Sequence, residues 1–385
     1  MALDTHTMSP GLEGVPIAQS AISLVDGEAG QLYYRGYSIE ELTAHCRFEE
    51  IVALLFDGEL PGQARLAEVT AQLEAGRALS PGHVELARHA ATLAHPMFAL
   101  QGAIAALGPA RNDFDQHQED FAGAAQRGIQ LIGQVGHLTG VIAQAVAGRA
   151  YDGPRPGESH ASMMLRMLTG AEPSALHERT MNALLILQAD HSAGNASTFT
   201  TRVVTSTKAD PVAAISAAVG ALSGPAHGGA NEASLRLFME IGSPARAEAE
   251  VNRMLAERVK IPGFGHRVYR VKDPRSAVIQ RLAGDVIVRE QERDLYDIAL
   301  TVERVVGDRL GPRGLWPNVD LFSGCVFAAL DIPIDFFTPC FAASRTAGWA
   351  VHLKEQLESG NRIFRPSQIW AGADVRPFQP LSARA

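Results

Sequence analysis

Apolar residues recur at helical spacing along most of this 385-residue chain, and a strand pattern stands out only near its start. Leu66, Val69 and Leu73 share one helix face. Val251, Met254, Leu255 and Val259 share another, as do Leu295, Ile298, Val302, Val305 and Val306. Steps of three and four residues stack side chains on one side of a helix, so each set predicts a face turned to a core. Near the start, Ile22 and Leu24 precede Asp26-Gly27-Glu28-Ala29-Gly30, and Leu32-Tyr33-Tyr34 follows. Two short runs about a glycine-bearing turn predict a small β-hairpin. Ser38-Ile39-Glu40-Glu41 then has the spacing of a capping box. Ser80-Pro81 and Thr338-Pro339 each predict an N-cap followed by proline at the first helical position. Residues 211–222 are almost entirely Ala, Val, Ile and Gly, which predicts a buried helix with close neighbours. The expected fold is all-α, with about fifteen or more helices of ordinary length.

Hydrophobic residues make up 46% of the chain and charged residues 20%, which excludes wholesale disorder. Lys and Arg number 34 against 42 Asp and Glu, a net charge of −8 that disfavours wrapping nucleic acid or an anionic membrane. Cys46, Cys325 and Cys340 are widely spaced, without a CxxC pair. That argues against a disulfide framework and a thiolate zinc site, and it suits a reducing cytoplasm. The first residues show neither a basic nor an apolar signal region, and no uninterrupted apolar run approaches the roughly 20 residues of a membrane span. The expected location is cytoplasmic.

Common catalytic motifs fail. No GK dipeptide is present, so there is no P-loop. Gly263-Phe264-Gly265 continues into His266-Arg267-Val268, and a dinucleotide fingerprint fails at its third glycine. His177-Glu178 is not followed by a zincin histidine. Gly220-Ala221-Leu222-Ser223-Gly224 lacks the glycine two places before the serine of a nucleophile elbow.

Five polar settings remain. His227 sits among glycines just before a helix at 230–241, where exposed N–H groups disfavour an imidazolium. It reads equally as a loop histidine and as a neutral hydrogen-bond donor. Asp273-Pro274 predicts a helix start with Arg275 in the first turn, where the helix dipole repels a cation unless an anion shares the site. Arg258, Lys260, Arg267, Arg270, Lys272 and Arg275 stand against one acid, Asp273. The run is either an anion patch or a solvated loop. Asp320 opens an apolar helix, as a capping carboxylate or as a base at a cleft mouth. Arg345 falls on the stripe of Phe341, Trp349, Leu353 and Leu357, and needs a protein or a bound carboxylate. His191 follows a predicted helix and reads as a C-terminal histidine at a helix corner. The arginines argue against a metal centre and for an anionic organic substrate.

The chain resembles the citrate synthase family, including 2-methylcitrate synthases, over nearly its whole length. The residues that carry this are ISLVDGEAGQLYYRGYSIEEL, DHSAGNASTFTTRVV, GPAHGGANE, GFGHRVYRVKDPR, PNVDLFSG, FTPCFAASRTAGW and the late Arg362-Ile363-Phe364-Arg365-Pro366, all in family order. The resemblance implies a multi-helical fold of a large and a small domain: 1–225 and 336–385 large, 226–335 small. It implies that acetyl-CoA and oxaloacetate condense to citrate and CoA. Asp320 would remove the methyl proton, His227 would donate to the thioester oxygen, and His266 would act as acid on the keto oxygen. His191, Arg275 and Arg345 would hold oxaloacetate, with Arg365 reaching in from a second subunit of a homodimer. Lys260, Gly263, Phe264, Gly265, Arg267, Arg270 and Lys272 would face the CoA. The coenzyme is a cosubstrate, and no metal or tightly bound cofactor is implied. The site would assemble only when the domains close.

The step of four residues from His191 to Asn195 is longer than in some relatives, and Cys325 and Cys340 replace larger or aliphatic residues in the core. The N-terminal extension of NADH-inhibited forms is not seen, so that control is not expected. Three alternatives stay open: the same chemistry on propionyl-CoA, a non-catalytic dicarboxylate or CoA binder, and a thioester hydrolase without condensation.

Overall fold

The computed structural model describes residues 9–109 and 123–384. Near the N-terminus, β1 (Ser23–Asp26), β2 (Gln31–Tyr34) and β3 (Tyr37–Ser38) form an antiparallel sheet in the order β1-β2-β3. Leu24 pairs with Tyr33, and Tyr34 with Tyr37. The expected hairpin thus gains a third short strand. Arg35 and Gly36, at φ 50° and 91°, reverse the chain within two residues.

Sixteen α-helices follow among the described residues. They are α1 (Ile39–His45), α2 (Phe48–Asp57), α3 (Gln63–Gly76), α4 (Pro81–Leu93), α5 (Pro96–Ala105) and α6 (Ala124–Val146). Next come α7 (His160–Thr169), α8 (Ala175–Gln188), α9 (Ala196–Ser206), α10 (Pro211–Leu222) and α11 (Ala230–Ile241). The last are α12 (Pro244–Ala256), α13 (Pro274–Val286), α14 (Glu290–Leu310), α15 (Asp320–Ala329) and α16 (Phe337–Glu358).

The caps follow local chemistry. Ser38, Ser80 and Asp273 accept hydrogen bonds from the backbone N–H of Glu41, His83 and Arg275. Thr338 departs from the expectation. A 3₁₀ turn, Ile334–Phe336, runs directly into α16, so Thr338 lies inside the first turn rather than before it. Its hydroxyl instead donates to Gly228 O at 3.1 Å or Glu232 Oε1 at 2.6 Å. Val259 also departs: α12 stops at Ala256, Arg258 turns left-handed at φ 58°, and Val259 is exposed.

The core is organised by α6 and α16. By length and composition α6 could cross a membrane, yet it packs against α3, α4, α7 and α16, and 78% of its most apolar window is buried. It approaches α3 closely because glycines face each other. A Cβ on Gly133 would stand 2.4 Å from Leu73 O, and one on Gly76 would stand 2.5 Å from Gln130 O. Helix α16 packs on α6, α8, α9 and α10, and is buried from Phe337 to Leu353. Cys325 and Cys340 are buried, as expected. Helices α11 to α15 pack on one another, while α13 also meets α1, α8 and β2. That last contact brings the segment before α13 against the end of α8.

Gly133→Ala is expected to lower the stability read from urea unfolding by about 1–3 kcal/mol, because backbone rather than a mobile side chain blocks the new methyl. Gly307→Ala, within α14 and with no atom within 4 Å of the added Cβ, is expected to raise it by up to about 1 kcal/mol. Equal effects would contradict the close approach of α3 and α6.

Candidate active site

Two glycine-shaped loops and one helix face converge at the end of α8. That helix ends at Gln188, and the chain turns through Ser192, left-handed at φ 68°, to Asn195. The long step from His191 to Asn195 is therefore taken up by one strained residue. The Asn195 side chain caps α9 by accepting from Ser197 N. His191 lies three residues beyond α8, not on its last turn.

A second loop, 261–273, is tied to the segment before α15. Gly265 N donates to Trp316 O at 2.9 Å, Asn318 N to Gly263 O at 3.0 Å, and Asp273 N to Pro317 O at 3.2 Å. Phe264 forms a bridge with Pro317. Gly263 and Gly265 sit at φ 80° and 85°, and a Cβ on Gly263 would stand 2.8 Å from Leu321 Cα. Only glycine meets both demands. This tie sets His266 beside the start of α15, which carries Asp320.

The ring centroids of His191 and His266 are 5.0 Å apart, and Tyr269 lies 5.6 Å from the first and 4.5 Å from the second. His266 Nδ1 accepts from the backbone N–H of Val268 and Tyr269, each at 3.0 Å. The imidazole proton therefore sits on Nε2. His227 Nε2 accepts from Ser197 N at 3.4 Å and meets Ser197 Oγ at 3.0 Å, so its proton sits on Nδ1. Ser197 Oγ is itself held by Asn195 Oδ1 at 2.9 Å and by Trp349 Nε1 at 3.2 Å.

All three imidazoles are neutral near pH 7. Burial, then the Arg345 charge, pulls His227 down to about 4. Burial, then Arg275, pulls His266 down to about 4. Burial, with Arg275, His266 and Arg345 behind it, holds His191 well below the usual range. The reading of His191 as a dipole-favoured C-terminal cation is thereby corrected.

The cations that add to the effect of burial are themselves buried. Arg275 is gripped by Asp273, with Nε to Oδ1 at 3.0 Å and Nη2 to Oδ2 at 2.7 Å. Burial works against its charge, but this pairing keeps it raised. Arg345 is 1% exposed and has no carboxylate within ion-pair distance among the described residues. Its Nε donates to Gln188 O at 2.6 Å, the Phe341 ring lies 4.7 Å away, and Nη1 has no partner. Burial lowers Arg345 to about 10. Among the described residues, no internal salt bridge of Arg345 is formed. His191 Nε2, Gln188 Nε2 and Tyr269 Oη are also buried without partners. Unpaired polar atoms gathered beside a buried guanidinium can be satisfied by a polar ligand or by water.

Asp320 opens α15, where its backbone N–H donates to Asn318 Oδ1 at 3.0 Å. Desolvation raises its carboxyl to about 7, against the lowering pull of Arg275 and Arg345. A carboxylate poised near neutrality is suited to general-base work.

The outlying candidates behave differently. Lys272 is taken by Glu303 at 2.5 Å and Gln280 at 2.6 Å. Lys260, Arg267 and Arg270 are exposed, and Arg267 reaches Glu13 at 3.5 Å. Arg270 N donates to Gly27 O in the β1–β2 turn at 2.9 Å. Arg365 is exposed on a groove it shares with Leu12, Val15, Phe199 and Arg362, none of them a residue of the site. His95, Glu232 and Asp335 bring one ligand atom each within 4.8 Å of one another. They are not residues of the site either, and Thr338 and Arg236 already engage the two acids. Sequence reasoning missed Ser197, Tyr269 and Gln188; only the polar run after His191 pointed toward the first.

The profile of the family described as citrate synthase, C-terminal domain, matches residues 11–367. The chain is 40% identical over 386 residues to a citrate synthase of Synechocystis sp., covering 100% of this chain and 96% of that one. It is 34% identical over 385 residues to 2-methylcitrate synthase 2 of Corynebacterium glutamicum, covering 99% of each. A solved citrate synthase of Thermoplasma acidophilum, in ternary complex with carboxymethyl coenzyme A and oxaloacetate, matches with a TM-score of 0.92. That structure is 30% identical, and the match covers 99% of this chain and 100% of the other.

Asp273→Ala is expected to strip the counter-charge from buried Arg275 and remove the α13 cap. The loss of stability, measured by urea unfolding, should be about 3–5 kcal/mol. A loss below about 1 kcal/mol, the size of a surface pair, would contradict the buried pairing.

Proposed function

Because the chain belongs to the citrate synthase family, we propose that it condenses acetyl-CoA with oxaloacetate and water, giving citrate and free CoA through an enol or enolate and citryl-CoA. The observation that carries the reading is buried Arg345 without a direct carboxylate pair, together with the three neutral imidazoles of His191, His227 and His266 and a carboxyl poised near 7.

Asp320 takes a proton from the thioester methyl group. That C–H is far too weak an acid for a carboxylate alone, so the developing oxygen charge must be stabilised as it forms. Nδ1–H of His227 supplies a neutral donor that does not first protonate the base. The enol carbon attacks the keto carbon of oxaloacetate, and the keto oxygen takes the Nε2 proton of His266. Water then cleaves the thioester: its hydroxyl goes to the acyl carbon, its proton restores His266, and the proton held by Asp320 leaves with the CoA sulfur. His191, Arg275 and Arg345 hold the dicarboxylate; the guanidinium fork matches a carboxylate in two bonds.

The reading extends to segment 226–335 closing as a small domain on the rest, excluding water before enolisation. It extends also to a cytoplasmic homodimer in which Arg365 serves the partner's site. The free cysteines fit a reducing compartment. The tail beyond α16 leaves Trp370 67% and Phe378 83% exposed, apolar area suited to a second copy. CoA is the cosubstrate. Its phosphates suit exposed Lys260, Arg267 and Arg270 better than engaged Lys272, with Gly263, Phe264 and Gly265 shaping the loop beside it. Propionyl-CoA is the second reading, favoured by likeness to 2-methylcitrate synthase 2 of Corynebacterium glutamicum. One methylene discriminates by only about 1–3 kcal/mol.

Thiol release from acetyl-CoA is expected to require oxaloacetate and to fall by at least about 10²-fold in Asp320→Asn. Release that is equal with and without oxaloacetate would point to a hydrolase and overturn the proposal. A clearly higher kcat/KM with propionyl-CoA would replace acetyl-CoA as substrate.

The pH profile follows from Asp320. Its carboxyl is protonated below about 7 and idle as a base, so kcat/KM for acetyl-CoA should rise with pH through about 7 and then level. A flat profile over roughly pH 5 to 9 would contradict this assignment.

A further inference from the structure

Behind His191, a line of buried polar groups crosses three elements and takes no part in the steps above. We infer that Asp190, His352 and Arg202 form a positioning relay that fixes His191, and so sets affinity for the dicarboxylate. The inference rests on the reading of the site given under Proposed function.

Asp190 is fully buried beside His191. Its Oδ2 accepts from Ser23 Oγ at 2.5 Å and from Ser192 N at 3.2 Å, and meets His352 Nε2 at 3.4 Å, with Oδ1 lying 3.2 Å from the same nitrogen. His352 Nδ1 accepts from Arg202 Nη2 at 2.8 Å and Nε at 3.2 Å. A guanidinium on Nδ1 leaves the imidazole proton on Nε2, aimed at Asp190. Arg202 pairs in turn with Glu355 and with Gln356 Oε1 at 3.2 Å, and Glu355 Oε1 accepts from Ala21 N at 3.0 Å. The line is polarised one way, from a buried carboxylate beside the site to a partly exposed one.

Arg345, Gly348 and His352 fall at steps of three and four on α16, on one face. Gly348 lets that face press onto the end of α8: its N–H donates to Ala189 O at 3.0 Å, and a Cβ there would stand 2.5 Å from Asp190 Oδ1. One helix face thus carries a substrate-binding arginine and the relay histidine. Asp190 acts on both. Its bond to Ser192 N holds the left-handed turn that aims His191. Its charge also favours the Arg345 cation against the effect of burial, without a direct pair that the substrate would have to break. His352, the Arg345 charge and Ser23 in turn hold Asp190 ionised although it is buried.

The test compares His352→Leu with His352→Gln. A Gln carboxamide can accept from Arg202 and donate to Asp190; Leu does neither. Leu should raise the calorimetric Kd and the KM for oxaloacetate about tenfold or more. The KM for acetyl-CoA should stay within about twofold, and Gln should recover most of the loss. Gln as impaired as Leu, an equal rise in both KM values, or an unchanged Kd in the Leu variant would overturn the relay. If circular dichroism shows the Leu variant unfolded, Asp190→Asn is read in the same way, and an unchanged oxaloacetate Kd overturns it. Should the unaltered protein bind oxaloacetate yet release no thiol, the proposed reaction falls while the Kd comparison still decides the relay.

Discussion

Positive charge cannot accumulate without limit in a buried site. Arg275 and Arg345 are both buried, and three imidazoles lie within the reach of their charge. Two like charges about 4 Å apart repel by about 4 kcal/mol at the effective dielectric near a protein surface. Burial is the larger cause that keeps the three histidines neutral, and the guanidinium groups, which do not give up their protons at neutral pH, add to it. Together these turn His227 and His266 into donors instead of strong acids. They leave Asp320 as the group among them that titrates near neutrality, and Arg345 as a cation suited to an anionic substrate.

The fold exists to hold this balance. Backbone hydrogen bonds between 263–273 and 316–318 fix His266 beside the start of α15. Asp273 both caps α13 and neutralises Arg275, so one carboxylate serves local structure and charge. Ser197, on the first turn of α9, fixes the tautomer of His227, while Trp349 on α16 fixes Ser197. The long buried helix is thus linked by direct hydrogen bonds to the donor that would face the thioester.

Most of the helical frame was legible because periodicity is local. Glycine turns, helix starts and one charged residue on an apolar stripe made His191, His227, His266, Arg275, Asp320 and Arg345 stand out in a few neighbouring letters, while their roles came from the family resemblance alone. Thr338 was misread because a 3₁₀ turn feeding a helix leaves no trace that distinguishes it from a cap. Ser197 holds a partner 30 residues away, and Asp190 holds one 162 residues away. No local pattern encodes such pairs; the packing of α16 on α8 and α9 creates them. The exposed basic residues remain a patch whose individual roles neither spacing nor geometry separates.

The neutrality of the three imidazoles carries the whole account, and nitrogen-15 NMR of labelled histidines reads it directly. Near pH 7, the account predicts His227 with its proton on Nδ1, His266 with its proton on Nε2, and all three of His191, His227 and His266 neutral, with His227 and His266 gaining a proton only near about pH 4. An imidazolium signal from any of the three at neutral pH would contradict it.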